Sequence, residues 1–277
     1  MILVFGSTGQ LGSYLQRYKQ TFSVNKDEGN FLSPEKCIFQ IKKHRPKQVI
    51  IAAAYTDVES SESNYEKACQ INAYCPAEIA SYCQKNDIGL IFISTDYVFD
   101  GKGTASFKEN HPPNPINAYG KSKLLGENLI KNSGVHYSIV RVSWLFSDVG
   151  KNFYKSILDL SSRQTEIKIV NDQFGGPTSA NSLAKFCIHL SEYMIQDKQK
   201  VSDIYHFCGM PYVSWADFAK KIIKLSKRDT IIRPIGSNNY NTKAVRPKNS
   251  KLDCAYTQKK LNFSEISWKN DLEKLFN

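Results

Sequence analysis

The stretch Ile2-Leu3-Val4-Phe5-Gly6-Ser7-Thr8-Gly9-Gln10-Leu11-Gly12 decides the fold of this chain. Its apolar start predicts a buried strand, the glycines follow directly as a turn, and the pattern through Leu15 and Tyr18 predicts a helix. Strand, glycine turn and helix in this order are typical of dinucleotide-binding folds, because glycine lets the backbone turn tightly and approach a pyrophosphate. The spacing is G-x-x-G-x-x-G rather than G-x-G-x-x-G, so the motif needs support from other segments.

Strands and helices alternate through the first half of the chain, which predicts parallel β-α-β units and a doubly wound α/β sheet of the Rossmann type. After the glycine turn the predicted strands are 21–25, 49–53, 88–93 and 136–142, and the predicted helices are 34–44 and 62–85. We therefore expect a dinucleotide-binding domain over residues 1–145.

The alternation loosens after Trp144, where a smaller substrate-binding lobe over 146–277 is predicted, with 164–203 packing back on the first domain. Residues 227–251 are basic and polar, show few helix or strand signals, and are interpreted from the residues alone as a surface loop. The other elements predicted here are helices at 152–160, 180–194 and 215–225 and strands at 166–170 and 204–207.

A second motif, Asn117-Ala118-Tyr119-Gly120-Lys121-Ser122-Lys123, opens a predicted helix. Tyr119 and Lys123 are four residues apart and therefore start from one face of that helix. A nearby ammonium lowers the pKa of a phenol from about 10, a value too high for proton transfer near neutrality. The pair therefore predicts a general acid or base, although an exposed surface pair has the same spacing.

Hydroxyl and carboxyl groups follow the apolar strand around Ile91, namely Ser94, Thr95 and Asp96. Ligands of open parallel sheets bind beyond the carboxyl ends of the strands, so these side chains are predicted to face the same crevice as the glycine turn. The alternative is a strand-ending turn stabilised by local side-chain hydrogen bonds.

Composition bounds the function. The 277 residues are 41% hydrophobic and 23% charged, as in a soluble globular protein. No apolar run approaches the roughly 20 residues of a membrane span, and no signal-peptide pattern opens the chain, so a cytoplasmic location is expected. The formal charge of +11 is spread over short lysine pairs, which favours solvated helix faces over a nucleic-acid site. We expect neither nucleic acid nor a membrane as partner.

The cysteines and histidines indicate no special chemistry. The seven cysteines are odd in number, scattered and without C-x-x-C spacing, and the five histidines form no ligand motif. Reduced, structural cysteines and the absence of a metal are therefore predicted.

Together these segments resemble the extended short-chain dehydrogenase/reductases, and more narrowly the dTDP-4-dehydrorhamnose reductase family. The resemblance runs from Met1 to about Phe263 and rests on the order and spacing of separate segments. Besides the motifs quoted above, these are Ala52-Ala53-Ala54-Tyr55-Thr56-Asp57-Val58, Arg141-Val142-Ser143-Trp144, Asn171-Asp172-Gln173-Phe174-Gly175-Gly176-Pro177-Thr178 and Arg246-Pro247-Lys248-Asn249-Ser250.

The resemblance implies that a nicotinamide hydride reduces the 4-keto group of dTDP-4-dehydro-6-deoxy-L-mannose and gives dTDP-L-rhamnose. Tyr119 would protonate the alkoxide, Lys123 would bind the nicotinamide ribose and lower the Tyr119 pKa, and Thr95 would bind the sugar near the keto oxygen. Related 4,6-dehydratases carry an acid pair after this threonine, whereas Asp96 is followed by Tyr97 here, so reduction is favoured over dehydration or epimerisation.

The same resemblance implies two sets of binding residues. Those for the sugar nucleotide are Thr95, Asp96, Trp144, Gln173 and Arg246. Those for the cofactor are Gly6, Thr8, Gly9, Gln10, Leu11, Gly12, Lys26, Asn30, Phe31, Ala54, Tyr55, Thr56, Tyr119 and Lys123.

Cofactor preference is predicted from the residues after the second strand. Asn30 replaces the family's acidic residue at the adenine, beside Phe31, and Lys26 adds a cation within reach of a 2′-phosphate. We therefore expect NADPH to be preferred and NADH to be tolerated. Asp27 is the opposing argument, because a shift of two residues would make it the ribose ligand and favour NADH.

Two other functions stay open at this point. One is reduction of another, UDP-linked 4-keto-6-deoxy sugar nucleotide. The other is a non-catalytic, dinucleotide-binding regulatory subunit, since the β subunit of methionine adenosyltransferase is similar to this family. The residues do not decide the nucleotide, the sugar stereochemistry or the choice between monomer and homodimer.

Overall fold

Six parallel strands form the main sheet of the chain, in a computed structural model that describes residues 1–197 and 199–276. The strands are β1 (Ile2–Phe5), β2 (Thr21–Val24), β3 (Gln48–Ile51), β4 (Gly89–Thr95), β5 (Tyr137–Val142) and β6 (Asp203–Phe207). Their spatial order is β6-β5-β4-β3-β1-β2, so the chain reverses direction across the sheet between β1 and β3. Ligands of such sheets bind at that reversal. The predicted doubly wound sheet is confirmed.

Helices cover both faces of this sheet, as its continuous apolar strands require. One face packs against the helices Gln10–Leu15 and Ala180–Gln196, and the other against Pro34–His44, Cys75–Lys85 and Ala118–Asn132. The last of these carries Tyr119 and is called the Tyr119 helix below. Each face has its own buried cluster, which fixes the helices and therefore the loops at the carboxyl ends of the strands.

The single long helix predicted for 62–85 is wrong in detail. The structure has a short helix Val58–Ser63, a break at Asn64, a helix Tyr65–Cys69, a wide π-helical turn Gln70–Tyr74 and then the helix Cys75–Lys85. Asn64 leaves the helical region with φ −130°. The wide turn contains Asn72, whose side chain binds the backbone of Tyr55, so tertiary contacts rather than helix propensity set this irregularity.

The smaller lobe packs helices around a second core that includes Phe146, Phe218 and Trp268. Its helices are Phe153–Ser161, Trp215–Ser226 and Trp268–Glu273, whereas the helix Ala255–Leu261 packs on the main sheet through Leu261. The interpretation of 227–251 as loop is wrong for Ile231–Ile235, which pairs in parallel with the strand Glu166–Val170. Pro234 and the exposed Ile231 are tolerated because this strand lies at the edge of a two-stranded sheet.

Short elements complete the fold and connect the two parts. They are the two-residue strands Leu145–Phe146, Phe174–Gly175, Thr178–Ser179, Gly209–Met210, Val213–Ser214, Asn249–Ser250 and Ile266–Ser267, and the 3-10 turns Asp96–Val98 and Ser237–Asn239. The domain ranges 1–145, 164–203 and 146–277 stay predictions, and Lys198 and Asn277 within them lie outside the described residues. No helix of the described residues is long and apolar enough to span a membrane.

Candidate active site

The glycine turn lies at the carboxyl end of β1, beside the reversal of the sheet. Gly6 has φ +99°, and a Cβ there would lie 2.7 Å from the amide nitrogen of Ala53. A Cβ on Gly12 would lie 2.0 Å from the carbonyl oxygen of Gly6, so both positions require glycine. A Cβ on the exposed Gly9 would meet nothing closer than 3.4 Å. The backbone of Gly9 is exposed, so a ligand can approach it closely.

The loop Ala54–Thr56 follows β3 and is fixed by a residue that the sequence did not single out. Asn72 is fully buried, its Oδ1 accepts from the Tyr55 amide at 2.8 Å, and its Nδ2 donates to the Tyr55 carbonyl at 3.1 Å. The same Nδ2 donates to Ser122 Oγ at 2.9 Å, on the Tyr119 helix. One amide thus ties the predicted cofactor loop to the helix that carries the predicted proton donor.

The start of the Tyr119 helix is held by side chains from two directions. Asn117 caps it, since its Oδ1 accepts from the Gly120 amide at 2.8 Å. Glu62 accepts from the Ala118 amide at 2.8 Å. The Tyr119 ring is half-buried and meets the ring of Tyr97 edge-on, with centroids 5.8 Å apart.

Lys123 does not turn toward Tyr119. Its buried Nζ donates to the carbonyl oxygen of Ile93 at 2.7 Å and lies 3.9 Å from the centroid of the Phe92 ring. Burial lowers the pKa of Lys123 to about 7, although the carboxylate of Glu127 acts in the opposite direction. The two side chains share a helix face as predicted, but the ammonium binds the end of β4.

The predicted lowering of the Tyr119 pKa by Lys123 is therefore wrong for this arrangement. Burial raises the pKa of Tyr119 well above its ordinary value, a hydrogen bond with Thr95 acts against it, and the nearby Asp96 adds to the rise. The phenol is consequently protonated at neutral pH. A general acid must carry its proton, and a phenol with a raised pKa can still give that proton to an alkoxide, because the alkoxide is the stronger base. The raised pKa therefore fits the role of acid and does not fit the role of base at neutral pH.

Thr95 and Asp96 end β4 within the same crevice. The Thr95 hydroxyl donates to Asp96 Oδ1 at 3.2 Å and accepts from the Tyr97 amide at 3.2 Å, so the local-turn interpretation holds alongside the functional one. Asp96 Oδ2 is buried and has no hydrogen-bond partner among the described residues. Burial raises the pKa of Asp96 to about 7, against hydrogen bonds with Ser250 and Thr95.

A buried ion pair lies behind these residues, and the sequence did not predict it. Arg141 on β5 donates from Nε to Glu127 Oε1 at 2.9 Å and from Nη2 to Glu127 Oε2 at 2.7 Å. Ser94 donates to the same Oε1 at 2.6 Å. Glu127 lies one turn beyond Lys123 on the helix. The pair thus locks the Tyr119 helix onto β4 and β5, with its donors and acceptors satisfied.

Three predicted substrate residues lie at the end of the first domain or in the smaller lobe. Trp144 has φ +47°, unusual for a bulky side chain, and its ring stacks on Trp215 with centroids 3.6 Å apart. Gln173 is buried and donates to Ser237 Oγ at 3.0 Å. Arg246 donates from Nη2 to Glu59 at 2.9 Å. Strained backbone at a large aromatic residue is typical of binding sites, which supports Trp144 as a candidate.

The residues predicted for the adenosine end lie after β2. This strand stops at Val24, one residue earlier than expected, because Asn25 Oδ1 accepts from the amides of Asp27 and Glu28. Lys26 and Asp27 are both exposed on this turn. Asn30 and Phe31 follow, and the Phe31 ring is buried edge-on against Phe5 with centroids 5.7 Å apart.

Two open clefts in the molecule lie away from all these residues. One, of about 510 Å³, lies between 161–165 and 228–230. The other, of about 250 Å³, is lined by residues that include Cys83, His136 and Lys200. Neither is lined by a predicted site residue, so strand topology and side-chain chemistry identify the site here, rather than cavity volume.

Known proteins resemble the chain over its full length. The family model described as RmlD substrate binding domain matches residues 1–277. The dTDP-4-dehydrorhamnose reductase of Shigella flexneri is 32% identical over 290 residues, which cover 100% of this chain and 97% of the relative. A solved dTDP-4-dehydrorhamnose reductase from Clostridium acetobutylicum is 32% identical with a TM-score of 0.92, over 99% of this chain and 97% of that one.

A second solved relative is the dTDP-4-dehydrorhamnose reductase of Bacillus anthracis in complex with NADP. It is 31% identical with a TM-score of 0.91, over 99% of this chain and 98% of that one. The family model and the relatives match the chain from one end to the other, and the chain belongs to the dTDP-4-dehydrorhamnose reductase family.

Proposed function

We propose that this chain is an NADPH-dependent reductase that converts the 4-keto group of dTDP-4-dehydro-6-deoxy-L-mannose to the alcohol of dTDP-L-rhamnose. The observation that carries the proposal is the position of Tyr119 beside the carboxyl end of β4, where its ring meets that of Tyr97 at 5.8 Å and the Tyr97 amide donates to Thr95 at 3.2 Å. The full-length relatives of the chain bear the name of this reductase. The product is a precursor for rhamnose-containing polysaccharides.

The residues present fit a dinucleotide. The glycine turn has two positions closed to any side chain and one, Gly9, whose backbone stays accessible. Bound NADPH would supply the hydride. The residues that would hold it lie in three groups: Gly6, Thr8, Gly9, Gln10, Leu11 and Gly12 at the turn; Ala54, Tyr55, Thr56, Tyr119 and Lys123 at the reactive end; and Lys26, Asn30 and Phe31 at the adenosine end.

Preference for NADPH over NADH rests on Lys26. Its exposed side chain follows the end of β2, where a cation suits a 2′-phosphate. Asn30 carries an amide rather than a carboxylate, and its Oδ1 already accepts from the Leu32 amide at 3.0 Å, so it does not replace the acidic ribose ligand of NAD-binding folds. The relative from Bacillus anthracis was solved with NADP, which supports the same preference. NADH is expected to be tolerated, because Asp27 lies beside Lys26.

The protein's own part in the reaction is proton delivery and positioning. Tyr119, protonated because burial raises its pKa, gives its proton to the developing alkoxide. Thr95 binds the sugar beside the keto oxygen. Lys123 donates to the carbonyl oxygen of Ile93 and so holds the Tyr119 helix against β4, which places the phenol beside the substrate. Asp96, Trp144, Gln173 and Arg246 bind the rest of the sugar nucleotide.

A turnover assay tests the proposal. Purified protein is mixed with NADPH and the dTDP-linked 4-keto-6-deoxy sugar, oxidation is followed at the nicotinamide absorbance, and the product is identified by NMR. We expect stoichiometric formation of dTDP-L-rhamnose, and slower turnover of the UDP-linked analogue. NADPH binding without oxidation of the cofactor by either sugar nucleotide would instead point to a regulatory subunit and refute the proposal.

A further inference from the structure

Glu59 joins the predicted cofactor loop to the segment that carries Arg246. Its Oε1 accepts from Arg246 Nη2 at 2.9 Å, and its Oε2 accepts from the backbone amides of Lys243 at 2.8 Å and Ala244 at 3.3 Å. Ala244 is fully buried. One carboxylate therefore holds both the backbone and the guanidinium of this segment.

We propose that Glu59 is a positioning residue that orients Arg246 to bind the diphosphate of the sugar nucleotide. The inference rests on the proposed function for the identity of the anion. Glu59 is the second residue of the helix Val58–Ser63, which begins directly after Ala54–Thr56 and is capped by Asp57 through the Ser60 amide at 2.9 Å. The first turn of this helix thus follows the predicted cofactor loop in sequence and contacts the proposed substrate arginine through Glu59.

Other contacts hold the backbone on both sides of Arg246. Asn117 Nδ2 donates to the Val245 carbonyl at 2.9 Å, from the start of the Tyr119 helix. Pro247 packs directly on Gly101, which has φ +70°. A Cβ added to Gly101 would lie only 2.3 Å from the Cβ of Pro247. The backbone is therefore fixed on both sides of Arg246, and Glu59 fixes the direction of its side chain.

Arg246 itself has the properties of an anion ligand. Its Nε is buried and has no hydrogen-bond partner among the described residues. The guanidinium also lowers the pKa of Tyr97, against the rise that burial causes, and the Tyr97 ring touches the Tyr119 ring. A buried guanidinium N–H without an acceptor is costly, and a diphosphate oxygen is a strong, charge-assisted acceptor. Tyr97 thus lies between Arg246 and Tyr119, the proposed proton donor.

A carboxylate beside an arginine has two opposite effects on anion binding. As a charge, Glu59 repels a diphosphate, so its removal would tighten binding. As an orienting group, it holds the guanidinium in place, so its removal would weaken binding. The two roles predict changes of opposite sign, which makes the proposal testable by affinity alone.

The experiment measures binding of dTDP to the full-length, NADPH-loaded protein by calorimetry. We expect Glu59→Ala to weaken dTDP binding about tenfold although a negative charge is lost, with NADPH affinity changed less than about twofold. Glu66→Ala is the matched control, because Glu66 is an exposed acid one helix further along the chain. It should bind dTDP like the wild type.

A double-mutant cycle assigns the effect to Arg246. In an Arg246→Ala background, Glu59→Ala is expected to change dTDP affinity less than about twofold, because the group it orients is gone. Glu59→Gln keeps an acceptor oxygen and should retain part of the affinity; it replaces Glu59→Ala in the cycle if that variant unfolds. Unchanged or tighter dTDP binding on removal of Glu59, an equal loss in the Arg246→Ala background, or a wild type that does not bind dTDP would each overturn the inference.

Turnover is measured separately on the same preparations. A wild type that binds dTDP and shows the cycle but never oxidises NADPH refutes the proposed reaction and leaves the role of Glu59 standing. If the wild type oxidises NADPH but the effects of Glu59→Ala and Arg246→Ala on dTDP affinity are simply additive, the proposed reaction stands and the role of Glu59 is refuted. The two proposals therefore fail independently.

Discussion

The ammonium of Lys123 donates to the carbonyl oxygen of Ile93, at 2.7 Å, two residues before the end of β4. This bond connects the Tyr119 helix to the strand that carries Thr95, so the proton donor and the sugar-binding hydroxyl are held in one frame. Lys123 is buried and held by that bond. Replacing Lys123 should therefore disturb the position of the helix as well as the site, whereas replacing the Tyr119 hydroxyl should affect only proton transfer.

Replacement of the phenol should remove only the proton donor. For Tyr119→Phe we expect turnover to fall by roughly 10²- to 10⁴-fold, the usual contribution of a general acid. NADPH affinity, measured by fluorescence titration, should stay within about twofold of the wild type. Near-normal turnover would exclude the phenol as the acid.

Loss of the lysine should act on the cofactor as well. Lys123→Met removes the bond to Ile93 O and the proposed contact with the nicotinamide ribose, so both turnover and NADPH affinity should fall by about tenfold or more. Lys131→Met is the matched control two turns along the same helix, since its Nζ makes only a 3.9 Å contact with Glu127. Unaltered NADPH affinity in Lys123→Met would contradict a role at the cofactor.

The Thr95 hydroxyl should matter more in the transition state than in the ground state. For Thr95→Val we expect kcat to fall by about 10- to 100-fold, while KM for the sugar nucleotide changes little. Thr95→Ser keeps the hydroxyl and should stay close to wild type. A rise in KM at constant kcat would reassign Thr95 to ground-state binding.

Asp96 should make the stability of the ligand-free protein depend on pH. Burial raises its pKa from 3.8 to about 7, so the unfolded chain loses this proton at lower pH than the folded chain does. The free energy of unfolding should therefore fall as pH rises from about 4 to about 7, by on the order of 4 kcal/mol for this group alone.

Denaturant unfolding at pH 4, 5.5 and 7 measures this dependence in the wild type and in Asp96→Asn, which should lack it. Asp229→Asn, at an exposed position, is the control and should follow the wild type. The same slope in Asp96→Asn and wild type would show that the carboxyl ionises normally in the folded protein.

Cofactor choice should depend on Lys26. In Lys26→Ala we expect the ratio of kcat/KM for NADPH to that for NADH to fall by about tenfold, because a cation near the 2′-phosphate is lost. Lys19→Ala, another exposed lysine of the same part of the chain, should leave the ratio unchanged. Better use of NADH than NADPH by the wild type would favour Asp27 as the ribose ligand.

Local patterns sufficed to predict the sheet and the crevice. The glycine turn and the polar end of β4 are read from consecutive residues, and the position of each in a parallel sheet follows from general rules. The pairing of Glu127 with Arg141 was not predictable in this way, because it depends on how closely the Tyr119 helix packs on β5.

The same limit explains the other missed features. Asn72 disturbs its helix through contacts with Tyr55 and Ser122, which lie 17 and 50 residues away in sequence. The direction of Lys123 was predicted from helix spacing, but burial beside Phe92 and the hydrogen bond to the Ile93 carbonyl decided it. Spacing indicates which residues share a face, whereas their partners are set by the neighbouring elements.

The place of β6 in the sheet bears on how the protein is made. β6 pairs with β5, yet residues 143–202 are synthesised between them. At ribosomal rates of about 5 to 20 residues per second, β5 remains an uncovered edge for roughly 3 to 12 s while it waits for its neighbour. The nascent chain therefore carries an apolar strand that invites pairing with other chains until the lobe has been translated, and a cut after residue 145 would make that interval permanent.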